Sequence, residues 1–317
     1  MGLQAFCQIY GGGSPEAAMR VACAALLETC GTEKPPVPLK PLFEKLGVRI
    51  KKVRREAKHA NQAGAVLLAA REGLTVCLYE SGAKSNWRRQ RFTLAHEIGH
   101  VILLRALNDS ALIESLDSSP AAHRQLESLC DIAASEILLP ARAVRNALRK
   151  FDLTPSGLAM LYDLFLVSKE ALVRRLGAIM PHSAVVKWQI YSRSDNEKAE
   201  MRVVRSFPGY SREGSRPWLP VGCSTRHLDP PIVQWAASQR EPVLEDNLKI
   251  FLRGRSQECV GLATFFPSNR EPSRQPRFEG FEVPDEADSR AEILLFVADK
   301  VMAGGAIASD FRREVAK

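Results

Sequence analysis

Apolar residues change their period along the chain, and the changes mark its elements. From Ser14 to Cys30 the pattern is helical: Ser14 can cap, Pro15 suits the first helical position, and an Ala-, Val- and Leu-rich run continues until Gly31 stops it. Pro35, Pro36 and Pro38 then break the chain before a short helix from Leu39 to Leu46, ended by Gly47, and the alternation Val48-Arg49-Ile50 opens a strand. Two apolar runs, Ala63 to Ala69 and Leu74 to Tyr79, flank Arg71-Glu72-Gly73 and predict a hairpin. A long helix follows from about Asn86 to Leu107, mostly buried because Phe92, Ala95, Val101 and Ile102 supply packing on several sides. The next, from about Ala121 to Leu139, ends at Pro140; its Leu126, Leu129, Cys130, Ala133 and Ile137 recur at three- and four-residue steps, so one face belongs to a core.

Residues 141–180 keep the helical period, as Ala141 to Arg149, Pro155 to Phe165, and Ser168 to Ile179 with Ser168 as N-cap. The last two meet at a tight Leu166-Val167 turn and resemble a helix-turn-helix. Lys169, Arg174 and Arg175 leave DNA reading open there, although most such pairs are packing units. After Ser183 strands take over: Ala184 to Tyr191, Met201 to Phe207, Val260 to Phe266 and Ala291 to Ala298, with a helix from Pro231 to Gln239. Pro208 to Pro217 and Pro267 to Asp288 lack the apolar content to form core. The fold class is α+β: a helical domain with a small sheet over 1–140, a helix-turn-helix-like segment over 141–182, and an α+β domain over 183–317.

Composition agrees and excludes some classes. A chain of 317 residues has room for two or three domains, and 45% apolar with 25% charged residues is a globular balance. No run approaches the roughly 18 apolar residues of a membrane span, and Met1 to Phe6 lack the features of a secretory signal. Seven scattered cysteines without a C-x-x-C pair argue against a disulfide frame or a cysteine zinc site, and predict reduced thiols in a cytoplasmic protein. A formal charge of +8 favours acidic partners only weakly; the clusters at Lys51 to Arg55 and Arg88 to Arg91 read as a solvated strand edge and helix entrance. Gly11, Gly12 and Gly13 lack the Lys-Ser/Thr ending of a phosphate loop and read as a flexible entrance to the first helix.

The chemistry lies at His96-Glu97-Ile98-Gly99-His100. Four residues is a little over one helical turn, so both imidazoles point the same way and can grip one metal ion, with Glu97 beside them to act on a metal-bound water. A catalytic zinc takes three protein ligands, and His123, Glu127 and Asp131 share a face of the following helix at four-residue steps. With zinc lowering the pKa of a water towards about 7, Glu97 would take its proton and pass it to the leaving amine. His123, Tyr79 and Tyr162 are candidates to stabilise the oxyanion. His59, His182 and His227 have no partner spacing and read as ordinary surface or linker histidines.

A glutamate one helix beyond H-E-x-x-H resembles the gluzincin arrangement, which implies Glu127 as the third ligand and Asp131, one turn on, as acceptor of a ligand histidine's second N–H. The run Arg91-Phe92-Thr93-Leu94-Ala95-His96-Glu97-Ile98-Gly99-His100, then Glu127-Ser128-Leu129-Cys130-Asp131 and Ile137-Leu138-Leu139-Pro140, is similar to the ImmA/IrrE family of metallopeptidases. The resemblance implies zinc on His96, His100 and Glu127, Glu97 as base, and, with weaker support, a GAF-like sensor or docking domain at the C-terminal end. It further implies cleavage of a helix-turn-helix repressor, relieving repression of stress-response or mobile-element genes. The rival reading is a non-proteolytic regulator with a structural or vestigial zinc site, binding DNA or protein through its basic surface.

Overall fold

Helices α1 (Gly2–Tyr10) and α2 (Pro15–Thr29) join through Gly11 and Gly12, which take φ of 72° and 128°. Positive φ is the reason for glycine there, so the expected flexible entrance is a defined turn, and α1 is a helix that the sequence pattern did not predict. Ser14 caps α2 by accepting from the Ala17 N–H at 3.3 Å. The structure is a computed structural model describing residues 2–54, 64–70, 73–80, 87–107, 119–151, 153–179, 183–191, 200–208, 219–252, 255–266 and 292–299. Pro208 is the last residue of a strand; the rest of the two stretches read as unable to form core lies outside these residues, as do His59 and His182.

The described residues fall into two compact units, 2–145 with 163–168, and 146–162 with 169–266 and 292–299. In the first, α3 (Leu39–Lys45) leads into β1 (Arg49–Arg54), and β2 (Gly64–Ala70) pairs antiparallel with β3 (Gly73–Glu80) as the hairpin pattern predicts. β1 runs parallel to β3, giving the order β1-β3-β2. Lys51 and Lys52 are exposed on β1, at the sheet's edge, and charges at an edge discourage pairing with another chain.

The sheet, α1 and α3 pack against α4 (Trp87–Leu107), and α5 (Pro120–Leu138) packs against α4 and α2. Ser119 caps α5 by accepting from the Ala122 N–H at 3.2 Å. Leu126, Leu129, Cys130, Ala133 and Ile137 are all buried, the face their spacing predicts. α4 and α5 approach closely at Gly99, where a Cβ would lie 2.8 Å from the Cys130 Cα and 3.0 Å from the Ala133 Cβ. Glycine is what lets the metal-motif helix lie this close to α5.

Helices α6 (Ala141–Leu148), α7 (Pro155–Phe165) and α8 (Lys169–Ile179) follow, with Leu166 at φ 55° in the tight turn before α8. The second unit is built on an antiparallel sheet of β4 (Ser183–Tyr191), β5 (Glu200–Pro208), β6 (Leu228–Asp229), β7 (Val243–Leu252), β8 (Arg255–Phe266) and β9 (Glu292–Asp299), in the order β5-β4-β9-β8-β7-β6. β4 and β9 are shielded on both faces, Val185, Leu294 and Phe296 as fully as Ala184, Trp188 and Leu295, so they read as continuous apolar runs. Helix α9 (Ile232–Gln239) packs on β7 and β8, its Ile232, Val233 and Ala236 joining Leu248, Ile250 and Trp188 in the core. The sequence pattern did not reveal β7, because Glu245, Asp246 and Asn247 interrupt its alternation where the register with β8 shifts between Glu245 and Leu248.

Two of the three basic residues of α8 face the fold. Lys169 Nζ donates to Glu292 at 2.8 Å and lies 3.7 Å from the Phe266 ring centre, Arg175 is buried, and the Arg174 guanidinium stands over Phe207 at 6.0 Å. Gly177 permits this docking, since a Cβ there would meet the Phe207 carbonyl oxygen at 2.6 Å. Lys169 and Arg175 are thus spent on anchoring α8, while Arg174 is exposed.

Candidate metal centre

Both halves of the centre lie in the first unit, His96 and His100 on α4 and Glu127 and Asp131 on α5. Arg91, one turn before His96, holds the start of α4 by donating to the Val37 carbonyl at 3.0 Å. The Arg105 guanidinium donates to the Leu46 carbonyl near the helix's other end. A helix fixed at two points presents its histidines with little freedom.

Glu127 spans the pair: its Oε2 is 3.3 Å from His96 Nε2 and its Oε1 is 3.4 Å from His100 Nε2. The two imidazoles stand edge-on with ring centres 5.0 Å apart. On the far side of His96, Nδ1 lies 3.0 Å from Asp131 Oδ1, which leaves Nε2 as the nitrogen aimed at Glu127. Two imidazole nitrogens and a carboxylate converging within one ion's reach are a donor set suited to a divalent metal such as zinc.

The local electrostatics differ between the two histidines. Burial, reinforced by His96 and opposed by Glu127, takes His100 down to about 4, so it is neutral and has a lone pair to offer at neutral pH. Burial also lowers His96, but the hydrogen bond to Asp131 and the charges of Glu127, Asp131 and Glu97 outweigh it and leave its pKa above the ordinary value. Glu97 is 6% exposed, between the two histidines in sequence, while Glu127 keeps 42% of its side-chain surface. One carboxylate is therefore enclosed and the other borders solvent.

The remaining candidates separate. His123, one turn before Glu127, is exposed, and its charge acts on His100, so it lies at the rim of the same centre. Tyr162 belongs to the other compact unit, and the side chain of Tyr79 lies outside what the structure describes. His227 Nδ1 donates to the Ser224 carbonyl, 2.9 Å away, in keeping with a structural role.

The sequence reading treated Cys130 as core only. It is fully buried, yet its sulfur and one ring nitrogen each of His96 and His100 all lie within 4.8 Å of one another. Burial, with added repulsion from Glu127, Glu97 and Asp131, pushes the free thiol's pKa far up. The signal was available: Cys130 is three residues after Glu127 on one helix, a spacing that shares a face.

Residues 45–177 match the family model described as the IrrE N-terminal-like domain, Peptidase M78, which covers both helices of this centre. Over these residues the chain is similar to the ImmA/IrrE family. It is 40% identical over 89 residues to the radiation response metalloprotease IrrE of Deinococcus radiodurans, an alignment spanning 27% of this chain and 26% of the relative. With the protein of the same description from Deinococcus deserti it shares 40% identity over 76 residues, 23% of this chain and 26% of that one. The chain thus spans about a quarter of the length of the curated relatives it matches. A Mycobacterium tuberculosis transcriptional regulator superposes with a TM-score of 0.47 at 13% identity, over 90% of this chain and 89% of that one, a likeness too slight to carry an argument. Among the described residues, no helix is long and apolar enough to cross a membrane.

Proposed function

We propose that the protein is a zinc-dependent endopeptidase that cleaves a helix-turn-helix transcriptional repressor and so releases stress-response or mobile-element genes. The observation that carries the reading is Glu127, whose two oxygens reach the ring nitrogens of both motif histidines. In this reading His96, His100 and Glu127 hold zinc, and Asp131 fixes the tautomer of His96 and raises its basicity. When bound, the ion supplies a Lewis acid that acidifies a water and polarises the scissile carbonyl.

Glu97 accepts the water's proton and delivers it to the departing amine nitrogen. It is enclosed, with 6% of its surface exposed. His123, at the rim, is the side chain placed to donate towards the developing oxyanion. The proposed division assigns 1–140 to the peptidase, 141–182 to the helix-turn-helix-like connection, and 183–317 to a GAF-like domain that senses a signal or docks the substrate in the cytoplasm. An antiparallel sheet with its own core supports that last assignment.

The test is incubation of the purified, zinc-loaded protein with the repressor encoded nearest its gene, followed by intact-mass analysis. The expected result is one cleavage, lost in Glu97→Gln with zinc content retained. Full cleavage by Glu97→Gln would remove the assignment of the base.

A further inference from the structure

Cys130 has no part in the reaction just described, yet its position is not that of an ordinary core thiol. Its sulfur and one ring nitrogen each of His96 and His100 lie within 4.8 Å of one another, a span that one ion closes when donors settle at about 2.0–2.3 Å from it. Cys23 and Cys259, also buried, have their sulfurs against backbone carbonyls, of Ala133 at 4.0 Å and of Gln257 at 3.9 Å. Cys130 instead stands next to the histidine pair.

Helix geometry explains how it gets there. Glu127, Cys130 and Asp131 occupy one face of α5 at steps of three and four residues. The absence of a side chain at Gly99 lets the Cys130 backbone come against α4 between His96 and His100. Glu127 borders solvent, whereas Cys130 is fully buried, so the carboxylate approaches from the solvent margin and the sulfur from the interior.

We propose that Cys130 is a further ligand of this centre, so that His96, His100, Glu127 and Cys130 together form a closed four-donor site. The proposal rests on the metallopeptidase reading above. As the sulfur–metal bond forms, the S–H bond breaks and its proton leaves to water. Four protein donors complete a tetrahedral zinc shell and leave no position for the water that hydrolysis needs. The closed form is therefore a resting state. A thiolate donor also shifts preference towards softer metals.

Cobalt(II) provides a readout independent of activity, because thiolate ligation gives an intense near-ultraviolet charge-transfer band that nitrogen and oxygen ligands do not. The purified full-length chain is stripped of metal, loaded with cobalt(II), and compared with Cys130→Ser, Cys130→Ala, Glu127→Ala and His96→Ala, each checked for folding by circular dichroism. The expected result is a charge-transfer band in the wild type and in Glu127→Ala, with loss of that band but not of the visible ligand-field bands in Cys130→Ser and Cys130→Ala. A wild type that binds cobalt without the band, or a Cys130→Ser protein that keeps it, overturns the proposal and leaves the metallopeptidase reading intact. Failure to bind cobalt, or binding unaffected by His96→Ala, overturns the metal centre itself and this inference with it.

Discussion

His96 Nδ1 and Asp131 Oδ1 are 3.0 Å apart, across two helices that are 35 residues separated in the chain. The contact fixes which nitrogen of His96 faces Glu127. Replacing Asp131 with Ala is expected to weaken metal binding by about 10- to 100-fold, the usual loss when the partner of a ligand histidine is removed, with Asp131→Asn losing less. Chelator competition measures it, and an unchanged affinity in Asp131→Ala would deny the aspartate a role in orienting the ring.

Metal binding joins α4 to α5, so it should add to folding stability. At a free metal concentration 100 times the dissociation constant the gain is about 2.7 kcal/mol. Glu127→Ala removes the donor that contacts both histidines, and most of the metal-dependent rise in Tm should go with it. Thermal melts with and without zinc provide the check; an undiminished shift in the variant would place the ion elsewhere.

Gly99→Ala is expected to destabilise the protein by about 1–3 kcal/mol, the usual range for overpacking a close helix contact. The added methyl would lie 2.8 Å from the Cys130 Cα, so α4 and α5 must move apart and the His96–Asp131 contact must lengthen. Urea unfolding measures the loss of stability. A variant with wild-type stability and metal affinity would mean that the helices separate freely.

Glu292 sets an acid limit on the second unit. Burial raises its pKa, but the charge of Lys169 and hydrogen bonds from Lys169 and Lys187 prevail and leave it below the ordinary value of 4.5. A carboxylate depressed on folding contributes stability above its unfolded pKa and loses it as pH falls through the folded one. In Lys169→Met burial is opposed by Lys187 alone, so the acid unfolding midpoint should move to higher pH. Trp188, in the same unit's core, reports it by fluorescence, and an unmoved midpoint would show that Lys187 suffices.

Local chemistry made much of the chain legible. Capping at Ser14, the hairpin, the periodic face of α5 and the two-residue side of the metal motif all depend on neighbours a few positions apart, and each appears in the structure at those residues. α1 escaped because no capping signal precedes it, and β7 because a bulge breaks its alternation. The cations of α8 left DNA reading open because sequence gives a helix face but not what covers it; β8 and β9 supply Phe266 and Glu292 to Lys169.

The sequence by itself determined that two histidines share one helix face with a glutamate between them, since helical pitch alone places them there. It also determined that Glu127 and Asp131 lie one turn apart. Tertiary structure decided the rest: that α5 lies against α4 in the register that aims Glu127 at both Nε2 atoms, gives Asp131 the opposite nitrogen of His96, and brings Cys130 beside them. That register follows from packing through Gly99 and the buried face of α5, which depends on shape between distant segments and leaves no local trace in the chain.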